Sequence, residues 1–224
     1  MATLVADDAP VDLADRAQRY VSRGGEKLAA ALARFQLDPS ALDCLDAGAS
    51  TGGFTDCLLH AGARHVVALD VGYGQLAWRL RTDDRVTVLE RTNVRDLTIQ
   101  ALPYRPVFVV ADLSFISLRS VLPVLSATAA DEAEGVFLVK PQFEAGPDHV
   151  GRGGVVRDPA VWAAVLDSVV DGSRDAGLEP RSVMASPLRG PAGNVEFLLW
   201  VRRDALPVTI DVAGAIAEAR EVAR

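Results

Sequence analysis

The stretch that decides the fold is Asp46-Ala-Gly48-Ala-Ser50-Thr-Gly52-Gly53-Phe54. It follows the apolar run Ala41–Asp46 and leads into a helical pattern near residues 53–61, which predicts a strand, a glycine-rich turn and a helix. Glycines permit positive φ and let the backbone approach a ligand closely. The spacing is not GxGxxG, and an acidic residue before the glycines would repel a pyrophosphate but could receive an ammonium group. The turn therefore indicates S-adenosylmethionine, whose methionine moiety carries such a group.

Two further polar residues extend this predicted cofactor site. Asp70 ends the next apolar run, 24 positions after Asp46, where an acidic residue commonly bonds ribose hydroxyls. NAD carries the same ribose, so Asp70 alone does not separate the two cofactors. Asn93 follows the third run, where methyltransferases often hold adenine. The alternative is a helix-capping turn with unrelated aspartates. The predicted cofactor residues are Asp46, Gly48, Ser50, Gly52, Gly53, Phe54, Asp70 and Asn93.

Outward from this turn, short apolar runs alternate with helical patterns. The predicted strands are Ala41–Asp46, His65–Asp70, Val86–Glu90, Val107–Asp112 and Gly135–Lys140. The predicted helices lie near residues 21–37, 53–61, 75–81, 118–129 and 158–175. Such alternation predicts a doubly wound α/β fold, in which helices cover both faces of a mostly parallel sheet.

The end of the chain departs from this alternation. Arg181–Leu188 and Asn194–Arg202 predict two strands joined as an antiparallel hairpin through Arg189-Gly-Pro-Ala-Gly193. This is the usual variation on the doubly wound fold in class I methyltransferases. The predicted organisation is an N-terminal arm or linker at residues 1–20, a methyltransferase domain at residues 21–205 and a C-terminal helix at residues 206–224.

Composition excludes several classes of protein. The net charge of −7 is opposite in sign to that of a typical stand-alone nucleic-acid-binding protein. If the chain acts on RNA, a local basic patch or a separate module must bind the RNA. No apolar run approaches the length of a membrane span. Three scattered histidines and two cysteines without a CxxC pair argue against a metal site and favour a reducing cytoplasm.

Four charged residues are the candidate catalytic set. Asp112 and Lys140 each follow a predicted strand, so both should lie at the carboxyl edge of the sheet. Lys27 is in the helix before the first strand, and Glu196 lies within the apolar run Asn194–Trp200. A carboxylate in such a run requires either a solvent-facing position or a partner. Singly, each residue is also compatible with a solvated surface position.

Taken together, the order Lys–Asp–Lys–Glu resembles the catalytic tetrad of FtsJ-like RNA 2′-O-methyltransferases. Longer strings resemble the TlyA (haemolysin A-like) family over roughly residues 20–202. These strings are Tyr20-Val-Ser-Arg-Gly-Gly-Glu-Lys-Leu28, Leu69-Asp-Val-Gly-Tyr-Gly-Gln-Leu76, Ala111-Asp-Leu-Ser-Phe-Ile-Ser117, Val139-Lys-Pro-Gln-Phe-Glu144 and Gly193-Asn-Val-Glu-Phe197.

This resemblance implies methyl transfer from S-adenosylmethionine to ribose 2′-hydroxyls of 16S and 23S ribosomal RNA. Under it, Lys140 is the base, or the cation that stabilises the forming alkoxide. Lys27 would tune Lys140 electrostatically, while Asp112 and Glu196 would orient the lysines and the ribose. In the loop after Lys140, Arg152 and Arg157 either contact phosphate or belong to a solvated connection.

Other functions stay open at this point. A small-molecule O-methyltransferase would use the same fold, and a non-catalytic RNA-binding or assembly factor would not need all four charges. The haemolysin name suggests a cytolytic role, which would require an apolar span or a strongly amphipathic basic helix, and neither is found.

Relatives of the TlyA type usually begin with an S4-type RNA-binding domain, and the opening Ala2–Leu13 resembles only its final stretch. We therefore expect this chain to bind S-adenosylmethionine normally but to act weakly or not at all on ribosomal subunits. Calorimetric titration with S-adenosylmethionine, followed by a methylation assay on purified subunits, measures both properties. Efficient, site-specific methylation by this chain would contradict the expectation.

Overall fold

The computed structural model describes residues 19–223. Its centre is one sheet of seven strands in the order β3-β2-β1-β4-β5-β7-β6. The strands are β1 (Asp43–Ala47), β2 (His65–Leu69), β3 (Val86–Leu89), β4 (Phe108–Ala111), β5 (Glu134–Val139), β6 (Glu179–Ala185) and β7 (Phe197–Arg202). The helices are α1 (Arg23–Phe35), α2 (Gly53–His60), α3 (Trp78–Arg81), α4 (Leu122–Thr128), α5 (Pro141–Glu144), α6 (Pro159–Asp175) and α7 (Val212–Val222).

The sheet has a buried core on each face, because its apolar strands alternate their side chains between the two sides. On one face, Leu45 and Phe137 belong to a cluster that includes residues of α4, α6 and α7. On the other face, Cys44 and Val136 belong to a cluster that includes residues of α1 and α2. The sequence prediction of a sheet covered on both sides is confirmed.

The strand order reverses at β1, which pairs in parallel with β2 on one side and with β4 on the other. Crossovers leaving neighbouring strands in opposite directions open a crevice at their carboxyl ends, where α/β proteins bind ligands. The loops after β1 and β4 flank this crevice. The glycine-rich turn and Asp112 therefore meet at the same edge of the sheet.

The predicted antiparallel hairpin is confirmed. Strand β7 runs antiparallel to both neighbours and lies between β5 and β6. Its regular pairing begins at Phe197, three residues later than the sequence predicts. Before that, the Ser186 amide donates to the Glu196 carbonyl at 2.8 Å and the Gly190 amide donates to the Asn194 carbonyl at 2.9 Å. These two bonds close the connection and hold Glu196 at the end of the hairpin.

Three helical segments differ from the sequence prediction. Helix α3 is a single turn that begins at Trp78. The region predicted as one helix at 118–129 is a 3₁₀ turn at Leu118–Ser120 followed by α4, which has a proline in its first turn. The segment after Lys140, predicted as a loop, begins with the one-turn helix α5, for which Pro141 supplies a favourable first position.

Most of the predicted N-terminal arm, residues 1–18, lies outside the described residues. Within the part of the chain that the structure describes, no helix combines the length and the apolar composition needed to cross a membrane.

Candidate active site

A first cavity of about 480 Å³ opens at the carboxyl ends of β1, β2 and β4. Five of the residues predicted to bind the cofactor or to act in catalysis line it, together with apolar side chains such as Leu113 and Ile116. The five are Gly48, Ser50, Asp70, Asn93 and Asp112. A carboxylate, a side-chain amide and a glycine backbone beside apolar walls match the ribose, base and methionine parts of S-adenosylmethionine.

Backbone hydrogen bonds hold the glycine-rich turn against the end of β2. The amides of Gly48 and Ala49 both donate to the Leu69 carbonyl, at 2.8 and 3.0 Å. The Ser50 amide donates to Asp70 Oδ2 at 2.8 Å, so the carboxylate predicted to bind ribose also fixes the turn. At Gly48, where φ is +87°, an added Cβ would lie 2.5 Å from the carbonyl oxygen of Asp112. Only glycine permits this approach.

Asp46 has a different environment from that predicted. Its carboxylate is fully buried and lines neither this first cavity nor a second cavity that adjoins it. Oδ2 accepts hydrogen bonds from the backbone amide and the hydroxyl of Thr55, at 2.8 and 2.6 Å, which ties β1 to the start of α2. Oδ1 has no hydrogen-bond partner among the described residues. Burial raises the pKa of Asp46 to about 7, and the nearby Asp112 and Asp70 add to this rise while the bonds from Thr55 oppose it.

Two of the remaining predicted cofactor residues line a second cavity at the same edge of the sheet. Gly53 and Phe54 line that cavity rather than the first, and Gly52 lines neither. Asn93 lines the first cavity, but its Oδ1 accepts a hydrogen bond from the Arg95 amide at 3.0 Å and caps a 3₁₀ turn.

The second cavity, of about 310 Å³, brings the four predicted catalytic residues together. Lys27 Nζ lies 2.5 Å from Glu196 Oε2, and Lys140 Nζ lies 2.5 Å from Asp112 Oδ1. The residues come from α1, from the ends of β4 and β5, and from the residue before β7. The two cavities adjoin, because both are lined by Gly48, Ser50, Asp112 and Ser114.

The two ion pairs differ in exposure. The side chains of Lys27 and Glu196 are 7% and 1% exposed, whereas those of Lys140 and Asp112 are 11% and 25% exposed. The Lys140–Asp112 contact is an ion pair without an aligned hydrogen bond, since Asp112 Oδ1 has no hydrogen-bond partner within residues 19–223. Lys140 instead donates to Ser114 Oγ at 3.0 Å. The more open pair is therefore the one that an incoming acceptor can reach.

Small residues bring Lys27 to this cavity. A Cβ on Gly53 would lie 2.2 Å from Ser22 Oγ and 3.0 Å from the amide nitrogen of Gly25. Because Gly53 has no side chain, the start of α1 can lie close to the start of α2. Leu28, Leu32 and Phe35 are buried further along α1, as its periodicity predicts.

Sequence reasoning missed Ser114, which contacts Lys140 and lines both cavities. It also missed the distribution of lysine along the chain. Of the 23 lysines and arginines, only Lys27 and Lys140 are lysines. A count by residue type would have separated these two positions from the arginines, which keep their proton in proteins.

The chain is similar in sequence and in structure to several known proteins. The model of the FtsJ-like methyltransferase family matches residues 20–203. The 16S/23S rRNA (cytidine-2′-O)-methyltransferase TlyA of Mycobacterium tuberculosis is 54% identical over 202 residues, which are 90% of this chain and 75% of that protein. A Lactococcus lactis protein named as a hemolysin has a crystal structure with a TM-score of 0.87 and 42% identity, covering 91% of this chain and 99% of that one.

The fold alone is shared more widely. An S-adenosylmethionine-dependent methyltransferase from Mesorhizobium loti superimposes with a TM-score of 0.57 at 14% identity, over 78% of this chain and 96% of that chain. The fold is thus that of class I methyltransferases that use S-adenosylmethionine. Within this class, the chain belongs to the FtsJ-like methyltransferase family. The predicted cofactor and the predicted resemblance are both confirmed.

The difference in burial between the two ion pairs predicts a difference in stability. Glu196→Ala leaves the Lys27 ammonium buried without its partner and should lower the free energy of unfolding by about 3–5 kcal/mol. Asp112→Ala removes a carboxylate from the more open pair and should cost about 1 kcal/mol or less. Urea unfolding of both variants measures the two values. Equal losses would contradict the assigned difference in burial.

The raised pKa of Asp46 predicts how stability depends on pH. An aspartate of the unfolded chain has a pKa of about 4, whereas Asp46 of the folded protein has a pKa of about 7. Between these two pH values the folded protein holds a proton that the unfolded chain has lost. The stabilising contribution of the Asp46 carboxyl to the free energy of unfolding is therefore full below about pH 4 and is lost as the pH rises through about 7. Asp46→Asn cannot ionise, so between pH 5 and pH 8 its unfolding free energy should rise relative to wild type by about 1–3 kcal/mol. A constant difference between the two proteins over this range would contradict the raised pKa.

Proposed function

We propose that this protein transfers a methyl group from S-adenosylmethionine to ribose 2′-hydroxyls of 16S and 23S ribosomal RNA, using Lys27, Asp112, Lys140 and Glu196. The observation that carries the proposal is that these four side chains form two ion pairs around one cavity, and that this cavity shares lining residues with the cofactor cavity. An acceptor hydroxyl in the second cavity would therefore lie beside a methyl donor in the first. Holding both in this way supplies much of the rate enhancement of such a transfer.

The chemistry requires a group that can take a proton from a poorly acidic alcohol. S-adenosylmethionine supplies the methyl group when bound, and the protein must manage the hydroxyl. Lys140 Nζ either accepts the hydroxyl proton or stabilises the negative charge that develops on oxygen. Arginine could stabilise this charge but could not accept the proton, and both lysines of the chain line the second cavity. Asp112 and Ser114 orient Lys140 through contacts at 2.5 and 3.0 Å.

The buried pair has a supporting role in this proposal. Glu196 holds Lys27 in place, and the Lys27 ammonium adds positive charge to the cavity that Lys140 also lines. The four charges form two matched pairs, so each lysine keeps its carboxylate partner when a neutral ribose enters the cavity.

Features around the site support an RNA acceptor. Phe115 is 92% exposed and lies with its ring centroid 5.2 Å from that of Phe143, so an aromatic face is available at the rim for stacking on a base. Arg95 lines the cofactor cavity and Arg23 lines the second cavity, which supplies local positive charge despite the acidic chain. The relative from Mycobacterium tuberculosis is named for this reaction on 16S and 23S rRNA. The partners proposed here are thus ribosomal RNA or ribosomal subunits in the cytoplasm.

Two substitutions at Lys140 test the proposal. Lys140→Ala should keep the affinity for S-adenosylmethionine and lower methyl transfer to ribosomal RNA by roughly 100-fold or more, since general acid–base groups contribute factors of this size. Lys140→Arg keeps the positive charge but cannot accept a proton. Loss of transfer in both variants assigns Lys140 as the base, whereas substantial transfer by the arginine variant assigns it as the stabilising cation.

The assay uses tritiated S-adenosylmethionine, enzyme in excess and low ionic strength, because phosphate contacts weaken steeply with salt. Arg105→Ala is a matched control, since Arg105 donates to backbone carbonyls such as that of Ala129 and lines neither cavity. Full turnover by Lys140→Ala would refute the catalytic assignment. Transfer to a panel of small alcohols in preference to RNA would refute the acceptor.

A further inference from the structure

Glu144, the last residue of α5, has an environment that the proposed chemistry does not use. Its side chain is only 3% exposed, although glutamate is rarely buried without a partner. Oε2 accepts a hydrogen bond from the Ser117 hydroxyl at 2.6 Å, and Oε1 accepts one from the Leu118 amide at 2.5 Å. Arg119 Nε lies 3.5 Å from Oε2. All three partners belong to the connection that follows β4.

That connection carries two of the residues at the site. It begins with Asp112 and Ser114, and it passes through Phe115 before the 3₁₀ turn at Leu118. Phe115 has φ of +63°, a strained value for a residue with a Cβ, and its side chain is almost fully exposed. A strained residue persists only where its surroundings over-determine it. Because the exposed ring of Phe115 buries little apolar surface, the restraint must come from other contacts.

Helix α5 supplies contacts at two points. The Phe143 ring lies beside that of Phe115 but leaves it almost fully exposed. Glu144 holds Ser117 and Leu118 through hydrogen bonds, so Glu144 supplies the stronger restraint. The same helix begins directly after Lys140 at the end of β5. The connection after β4 and the strand that carries Lys140 are therefore joined through four residues of helix.

We propose that Glu144 is a positioning residue, which holds the connection after β4 so that Ser114 and Asp112 both engage Lys140. The inference rests on the proposed function for the catalytic role of Lys140, but the restraint itself is independent of turnover. A purely structural role, capping the 3₁₀ turn, would affect folding without changing the surroundings of Lys140.

The two lysines of the chain make this restraint measurable without activity. Limited labelling with an amine-reactive ester, followed by peptide mass spectrometry, gives separate rates for Lys140 and Lys27. In Glu144→Ala, local opening of the connection should raise the labelling rate of Lys140 by roughly threefold or more, while the rate of Lys27 stays within about twofold. Lys27 is thus an internal control for global unfolding.

Two further variants make the comparison specific. Glu144→Gln can accept from the Leu118 amide through its oxygen and donate to Ser117 Oγ through its nitrogen, so it should label like wild type. Glu134→Ala removes a carboxylate at the other end of β5, where Glu134 Oε2 accepts from Trp200 Nε1 at 3.1 Å. It should leave Lys140 unchanged. Ser117→Ala deletes only the hydroxyl partner and should give a smaller rise, and it replaces Glu144→Ala if that variant does not fold.

Steady-state kinetics with the methyl acceptor give the second readout. Glu144→Ala should lower kcat roughly 10- to 100-fold with KM for the acceptor within about threefold, because displaced catalytic groups affect the transfer step rather than binding. Glu144→Gln should retain most of kcat. Rescue by glutamine separates a hydrogen-bonding restraint from a requirement for negative charge.

Equal labelling of Lys140 in wild type and Glu144→Ala would overturn the inference, as would a parallel rise at Lys27. A wild-type protein that methylates no ribosomal RNA with enzyme in excess at low ionic strength would refute the proposed function but would leave the labelling result as a test of the restraint. Selective exposure of Lys140 together with an unchanged kcat would also overturn the positioning role.

Discussion

The whole site depends on the close approach of two backbone segments at the point where the strand order reverses. The turn after β1 passes the end of β4 so closely that a side chain on Gly48 would overlap the carbonyl oxygen of Asp112. Gly48 and Asp112 are both lining residues of the two cavities. A larger residue at position 48 would push the turn away from β4 and separate the cofactor cavity from the four charges. The steric constraint at a single glycine thus underlies the arrangement of the two adjoining cavities.

Much of this arrangement follows from the sequence, because local pattern and parallel topology dictate it. Apolar runs define the strands to within a few residues, and Asp70, Asp112 and Lys140 follow parallel strands, so the topology puts them at the same edge of the sheet. Lys27 and Glu196 are different, since their contact spans 169 positions and their selection relied on resemblance to a family. Pattern alone contains no signal for such a pair.

The features that sequence reasoning missed depend on tertiary packing. Asp46 precedes the glycines in the way a cofactor ligand would, yet its burial and its bonds to Thr55 depend on where α2 sits against β1. Ser114 and Glu144 lie in segments that read as loops, because a one-turn helix and a 3₁₀ turn have too few residues for a periodic pattern. Their partners are 26 or 27 positions away and are set by the spacing of β4 and β5.

The position of β7 between β5 and β6 has a consequence for biosynthesis. A chain emerging from the ribosome can pair β1 to β5 in parallel as these strands appear, but β6 has no neighbour until β7 arrives between it and β5. Glu196 immediately precedes β7, so the Lys27–Glu196 ion pair cannot form before synthesis reaches the last strand of the sheet. Contacts of such long sequence separation form late and slowly. The four charges therefore come together only when the last strand joins the sheet. A nascent chain that ends before Glu196 contains both lysines but can form only one of the two ion pairs.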